Sequence, residues 1–189
     1  MSARTRRSPL LALGAVLVAL LLTLTACSGG DDSPKSVTLP APMPDLTLPG
    51  FADQPDRNLA EIDAPTVISL WASTCNPCRK EMPLLEEFHQ KYEGRVDVLG
   101  IDFQEPQSGD AEELVAETGV TYPLVADFEG NINGLTPFPR VRGLPLLAFV
   151  DADGQLVAVE YVLFDELVEL EEVVAKHLDL DPSTDDDAA

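Results

Sequence analysis

Positive charge is scarce in this chain: 12 lysines and arginines stand against 33 aspartates and glutamates in 189 residues, a formal net charge of −21. Such a surface repels the phosphates of nucleic acid and the headgroups of anionic lipid, so neither is an expected partner. Metal-ligating side chains are scarcer still, with three cysteines and two histidines. A structural zinc site takes about four ligands. Beyond the pair Cys75 and Cys78 the chain offers Cys27, His89 and His177, and neither histidine has a partner at metal spacing. No internal repeat is present, and the length suits one domain plus tails.

What is there is concentrated in Trp71-Ala72-Ser73-Thr74-Cys75-Asn76-Pro77-Cys78-Arg79-Lys80-Glu81. Two thiols three residues apart follow the apolar run Thr66 to Leu70, which reads as a buried strand, and precede a stretch of helical character. Cys75 at the mouth of such a helix meets unpaired N–H groups and the positive end of the dipole, both of which favour thiolate over thiol. Arg79 and Lys80 add positive charge nearby. Cys78, one turn further in, can reach back to close a disulfide. A C-x-x-C pair after a strand and before a helix reads as a dithiol–disulfide exchanger.

The compartment follows from the start of the chain. Arg4, Arg6 and Arg7 precede an apolar run, Leu10 to Leu24, broken only by Gly14 and Thr23. The order basic, apolar, small is that of an export signal, and Leu24-Thr25-Ala26-Cys27 resembles the bacterial lipobox, which implies a lipidated Cys27 as the mature N-terminus. An uncleaved single-span anchor is the competing reading, since roughly 17 residues suffice to span. The abrupt change to Ser28-Gly29-Gly30-Asp31-Asp32 favours the lipoprotein. Either reading leaves the domain outside the cytoplasm and tethered to a membrane. Removal of residues 1–26 leaves 9 basic and 33 acidic residues, a balance of −24, so membrane contact has to come from the lipid.

Residues 27–43, rich in Ser, Gly, Asp and Pro, read as a flexible tether, residues 44–178 as an α/β domain, and residues 179–189, with Asp185 to Asp187, as an acidic disordered tail. Within the domain, Leu46 to Leu48 reads as an edge strand, Asn58 to Ile62 as a turn of helix, and Thr66 to Ala72 as the first central strand. The helix after the cysteines extends to about Tyr92, with Met82, Leu85 and Phe88 on its buried face and a kink expected at Pro83. A second strand covers Val96 to Phe103, a helix residues 110–118, and an extended piece Tyr122 to Val125. A hairpin joins Leu146–Asp151 to Leu156–Leu163 through Asp151-Ala152-Asp153-Gly154, a turn too short to supply the oxygens calcium needs. A last helix runs from Phe164 to about Leu178.

Trp71 through Cys75-Asn76-Pro77-Cys78 to Arg79-Lys80-Glu81-Met82-Pro83, together with Gly143-Leu144-Pro145 and Phe149-Val150-Asp151-Ala152-Asp153-Gly154, resembles the TlpA/ResA-like family of extracytoplasmic thiol–disulfide oxidoreductases. The resemblance runs from about Pro44 to Leu178. It implies a thioredoxin-like fold, a mixed central sheet flanked by helices, with the family's extra helix-and-strand insert at about residues 104–130. It implies Cys75 as attacking thiolate, Cys78 as resolving thiol, Pro145 in cis beside the disulfide, and Leu144 pairing through its backbone with an extended client. Leu146, where the family usually has Thr, implies a loop suited to apolar clients, and Trp71 is expected to shield the thiols and meet substrate.

Glu81, three residues after Cys78, resembles an acid that ResA-like proteins hold near the pair. Burial would raise its pKa and let it take up and return protons, while in its ionised form it would oppose thiolate formation and lower the potential. Glu105 is a second candidate for that role. No metal or organic cofactor is implied. The expected partners are proteins bearing disulfides or thiols and a membrane redox partner that recharges the dithiol, with the chain itself a monomer. The Arg-Lys-Glu-Met-Pro continuation resembles the reductive, cytochrome-c-maturation side of the family. Two readings compete: a Cu(I)-binding module built on the same thiols, for which His89 and His177 are poorly placed, and a peroxidase, whose Thr-x-x-Cys motif is absent at Cys75.

Overall fold

The computed structural model describes residues 37–180. The expected signal peptide (1–26), the expected lipidation site Cys27, most of the expected tether, and the expected tail from residue 181 lie outside the described residues. Among the described residues no helix is long and apolar enough to cross a membrane.

The elements are β1 (Ala41–Pro42), β2 (Thr47–Leu48), β3 (Arg57–Asn58), a 3-10 turn (Leu59–Glu61), β4 (Thr66–Trp71), α1 (Asn76–Lys91), β5 (Asp97–Phe103), α2 (Ser108–Thr118), β6 (Leu124–Asp127), β7 (Leu146–Val150), β8 (Gln155–Glu160) and α3 (Leu167–His177). Six strands form one sheet in the order β1-β8-β7-β4-β5-β6. β4, β5 and β6 run parallel, whereas β7 is antiparallel to β4 and β8 to β7. This mixed sheet with three helices is the thioredoxin-like α/β arrangement expected.

β4 is buried at every residue, as a strand enclosed on both faces requires. Alternation sorts its side chains: Val67 and Trp71 join the cluster with α1, α2 and α3, while Ile68 and Leu70 join the one roofed by Met43, Leu48, Leu59 and Phe138. α1 supplies Cys78, Met82, Leu85 and Phe88 to the first cluster at three-to-four spacing. Leu85 and Phe88 are fully buried. Pro83 lies inside the helix, where it has no N–H for the carbonyl one turn back.

Several assignments differ from the sequence reading, among them β8, which ends at Glu160 rather than Leu163. Leu46 to Leu48 is not an edge strand of the main sheet: β2 pairs with β3 in a separate ribbon. The edge position goes to β1, from the segment assigned to the tether, which pairs with β8 at Ala41–Leu156 and Pro42–Gln155. The polar composition of residues 27–43 hid two residues that the exposed side of β8 can bind. Leu180, assigned to the tail, is buried against the helices at 8% exposure. The last helix begins at Leu167 rather than Phe164, because Glu166 caps it through a reciprocal capping box with Glu169. At the other side of the sheet Gly50 bridges to Val125, so the chain around residue 50 covers the outer edge of β6.

Candidate active site

Cys75 and Cys78 form a disulfide at the first turn of α1, with Cα atoms 5.3 Å apart. Cys75 is the N-cap of the helix, and its Sγ accepts the Cys78 N–H at 3.2 Å. Pro77 stands in the first turn, where its missing N–H is no loss. Cys75 remains half-buried while Cys78 is 1% exposed. The two sulfurs therefore differ in access as their expected roles require. Leu144–Pro145 is a cis peptide that opens β7, and β7 lies beside β4 with Leu146 opposite Leu70. Leu144 packs against both core clusters.

The turn between β4 and α1 is clamped from β5. Glu105 accepts the Ser73 N–H at 2.6 Å, the Ser73 Oγ–H at 2.9 Å and the Gln107 N–H at 3.1 Å. Gln104, just before it, has a left-handed backbone with φ of 52°, which turns the chain out of the strand. Glu105 is thus a structural anchor for the cysteine turn. Glu81 is its opposite: 2% exposed, with neither carboxyl oxygen hydrogen-bonded among the described residues. Burial pushes its pKa up from 4.5 to about 8. At neutral pH the carboxyl is therefore protonated, and the expected route in which an ionised Glu81 opposes thiolate formation does not operate there.

Arg79, expected to add positive charge near the thiols, is ion-paired with Glu117 of α2. Trp71, expected to meet substrate, is 1% exposed and packs in the core beside Cys78, with its ring tilted against Phe51 at 5.8 Å. It lies behind the thiols, not on a surface that a client reaches. Leu146 is fully buried in β7 and cannot shape a client loop either; a strand with both faces covered buries each side chain. His89 lies edge-on to Tyr122 and lines a recess with Thr66 and Asp97, at the end of β4 away from the cysteines. His177 is held by Glu160 at 3.0 Å. Neither histidine is brought to the cysteine pair.

The structure adds two groups that sequence reasoning missed. Asp102 pairs across β5 with Trp71 of β4, is wholly buried, and has no hydrogen-bond partner among the described residues. Burial, then the charge of Glu105, raises its pKa from 3.8 to about 7. Tyr122 is wholly buried with a hydroxyl that has no partner among the described residues, and burial, then the carboxyls of Glu81 and Glu86, pushes its pKa well above the usual phenol value. Its ring and the Trp71 indole lie over Gly100, where a Cβ would stand 3.1 Å from each and 2.4 Å from Leu124 Cδ2. For Asp102 the sequence signal was an acid inside the apolar run Val98 to Phe103.

The AhpC/TSA family matches residues 40–159. The thiol:disulfide interchange protein DsbE of Pseudomonas fluorescens is 32% identical over 72% of this chain and 74% of its own length. The thiol–disulfide oxidoreductase ResA of Oceanobacillus iheyensis is 23% identical over 75% and 73% respectively. Among solved structures, a DsbF homologue from Corynebacterium diphtheriae superposes with a TM-score of 0.62 at 24% identity, over 73% of this chain and 87% of that one. The fold, the Cys75–Cys78 pair and these relatives agree: the chain belongs to the AhpC/TSA family of thioredoxin-like proteins, among its thiol–disulfide oxidoreductases of the ResA and DsbE type.

Proposed function

We propose that the chain is a membrane-tethered, extracytoplasmic protein-disulfide reductase, acting on the side of the family that prepares thiols for cytochrome c maturation. One observation carries the chemical part. A disulfide sits at a helix N-terminus with its first cysteine partly exposed and its second buried, and three residues further along the same helix Glu81 is buried with no carboxyl partner among the described residues.

In the reduced protein the Cys75 thiolate, favoured by the helix end, attacks a client disulfide. One client sulfur leaves as a thiolate and takes a proton, and a Cys75–client mixed disulfide remains. Cys78 then loses its proton to Glu81, acting as carboxylate in the fraction of molecules where it is ionised, and attacks Cys75 Sγ. The second client sulfur leaves, and the pair closes as the Cys75–Cys78 disulfide. Two electrons have passed to the client, and a membrane redox partner returns them. Leu144 and Pro145 offer backbone to the client beside the sulfur under attack. Pro145 is buried, so it holds the loop from beneath.

The reductive direction is supported by the Arg79-Lys80-Glu81-Met82-Pro83 continuation. The tether is supported by the Leu24-Thr25-Ala26-Cys27 junction after the apolar run. Insulin reduction, iodoacetamide labelling and equilibration against glutathione and dithiothreitol test the reading together. Reduced protein should label first at Cys75, the Cys78→Ser variant should trap mixed disulfides, and the purified protein should hold no copper. A potential near −120 mV, the strongly oxidising end of the range, would overturn the reductase assignment. Stoichiometric Cu(I) without insulin reduction would replace it with the copper-binding reading.

A further inference from the structure

In so acidic a molecule the placement of the few cations is informative. Of the chain's 12 lysines and arginines, Arg79 and Lys80 stand in the first turns of α1, and Arg140 and Arg142 in the segment that leads to Pro145. Arg79 is matched by Glu117. Lys80, Arg140 and Arg142 are exposed and have no carboxylate partner among the described residues. Among the described residues, a molecule with acids to spare leaves three cations near its exchange site without a carboxylate.

One side chain joins the two arginines. The Tyr161 hydroxyl accepts the Arg142 N–H at 3.3 Å and donates to the Arg140 carbonyl at 3.4 Å. The Arg142 guanidinium lies over the Tyr161 ring, 5.5 Å from its centroid, a cation–π contact that keeps the charge at the surface. Two residues on, Leu163 is 63% exposed and with Phe164 and Asp165 walls a recess of about 180 Å³ whose other side is Asn76, Pro77, Lys80 and Glu81. The rim of the exchange site therefore carries these three cations and two exposed apolar side chains, Tyr161 and Leu163. Against them stand Asp165 and Glu81 on the recess wall, the latter a buried carboxyl, and Glu117, already engaged with Arg79.

We propose that this rim selects the client: the protein exchanges preferentially with cysteines flanked by acidic residues and an apolar side chain, a specificity that rests on the oxidoreductase reading above. The net negative charge does not prevent it. Fields are screened beyond about 8 Å at physiological salt, so the sign of the charge next to the sulfur decides the approach of a segment already near the surface. The same rim disfavours clients with basic flanks, which would set like charges together.

The test uses the full chain and three peptide disulfides identical except for Glu, Gln or Lys on either side of the cysteine, with uncharged 2-hydroxyethyl disulfide as reference. Exchange with the Glu peptide should be about tenfold faster than with the Lys peptide at low ionic strength, shrinking to about twofold in 0.5 M salt. Arg140→Glu with Arg142→Glu, each rate normalised to the variant's own reference rate, should equalise or invert the order, while Arg57→Glu, on the ribbon, should leave the order intact. Equal rates for the three peptides, or a preference for Lys, overturn the proposal. A double variant that loses binding to phosphatidylserine vesicles but keeps the wild-type peptide order gives the rim to a membrane surface instead. Absence of exchange with the reference disulfide removes the oxidoreductase reading itself, and this specificity with it.

Discussion

Glu81 and Glu86 are five residues apart on one helix, both buried, and they behave in opposite ways. Glu86 accepts from the Thr121 N–H and Oγ–H, each at 2.6 Å, and from Gln90 at 2.7 Å, and these bonds hold its pKa below the ordinary value despite burial. Glu81 has burial without bonds, and its pKa rises to about 8. Between pH 4.5 and about 8 the native state keeps a proton that the unfolded chain has lost, so stability falls as pH rises through that window. Glu81→Gln removes the penalty. It should stabilise the protein by about 2–3 kcal/mol at pH 7 and change little at pH 4, as read by urea unfolding across pH. A variant as pH-dependent as wild type would place the titration elsewhere, with Asp102 first in line. The helical position of Glu81 was legible in the sequence, since it follows Cys78 by three residues. Its isolation from every donor among the described residues was not, because that depends on side chains the fold brings in from elsewhere, Tyr122 before β6 among them.

At the scale of elements, the sequence made the order strand, helix, strand, helix, hairpin, helix readable, because period and punctuation agree: apolar runs at β4 and β5, a left-handed Gly119 after α2, and Gly154 with φ of 71° in the hairpin turn. The same patterns could not show what joins two elements at a distance. Glu105 looked like a loop acid or a second proton carrier, yet it binds Ser73, 32 positions earlier, through both carboxyl oxygens. That link fixes where the β4–α1 turn points, and with it the Cys75 sulfur. Glu105→Gln keeps the shape and one acceptor oxygen but puts an NH2 donor in place of the other, so the oxygens that now hold the Ser73 N–H on one side and the Ser73 hydroxyl and Gln107 N–H on the other cannot both be matched. It should cost about 1–3 kcal/mol and slow exchange by way of a looser cysteine turn. Hydrogen exchange at the Ser73 amide is the direct measurement, and unchanged protection there would show that the clamp is dispensable.

For the whole molecule, the proposed tether makes the sharpest prediction. Mass spectrometry of the membrane-extracted protein should find a lipidated Cys27 as the first residue, and Cys27→Ser should release the protein or leave it in the wrong compartment. An intact Met1 or Ser2 with an unmodified Cys27 would sink that idea. The described part of the chain also says where such a tether is fastened. β1 pairs with β8 beside the hairpin turn, and the Met43 N–H bonds the Gly154 carbonyl at 3.2 Å. That turn adjoins the start of β4, where Thr66 faces Val150. Leu178 to Leu180, at the other end of the described chain, line a recess with Pro65 and Asp151 at the same pole. The disulfide lies past the far end of β4, a six-residue strand and so about 20 Å away. A pull on either end of the domain thus loads the hairpin pole, and a leash, a fused partner or an immobilising support attached there leaves the sulfur-bearing pole free to swing outward.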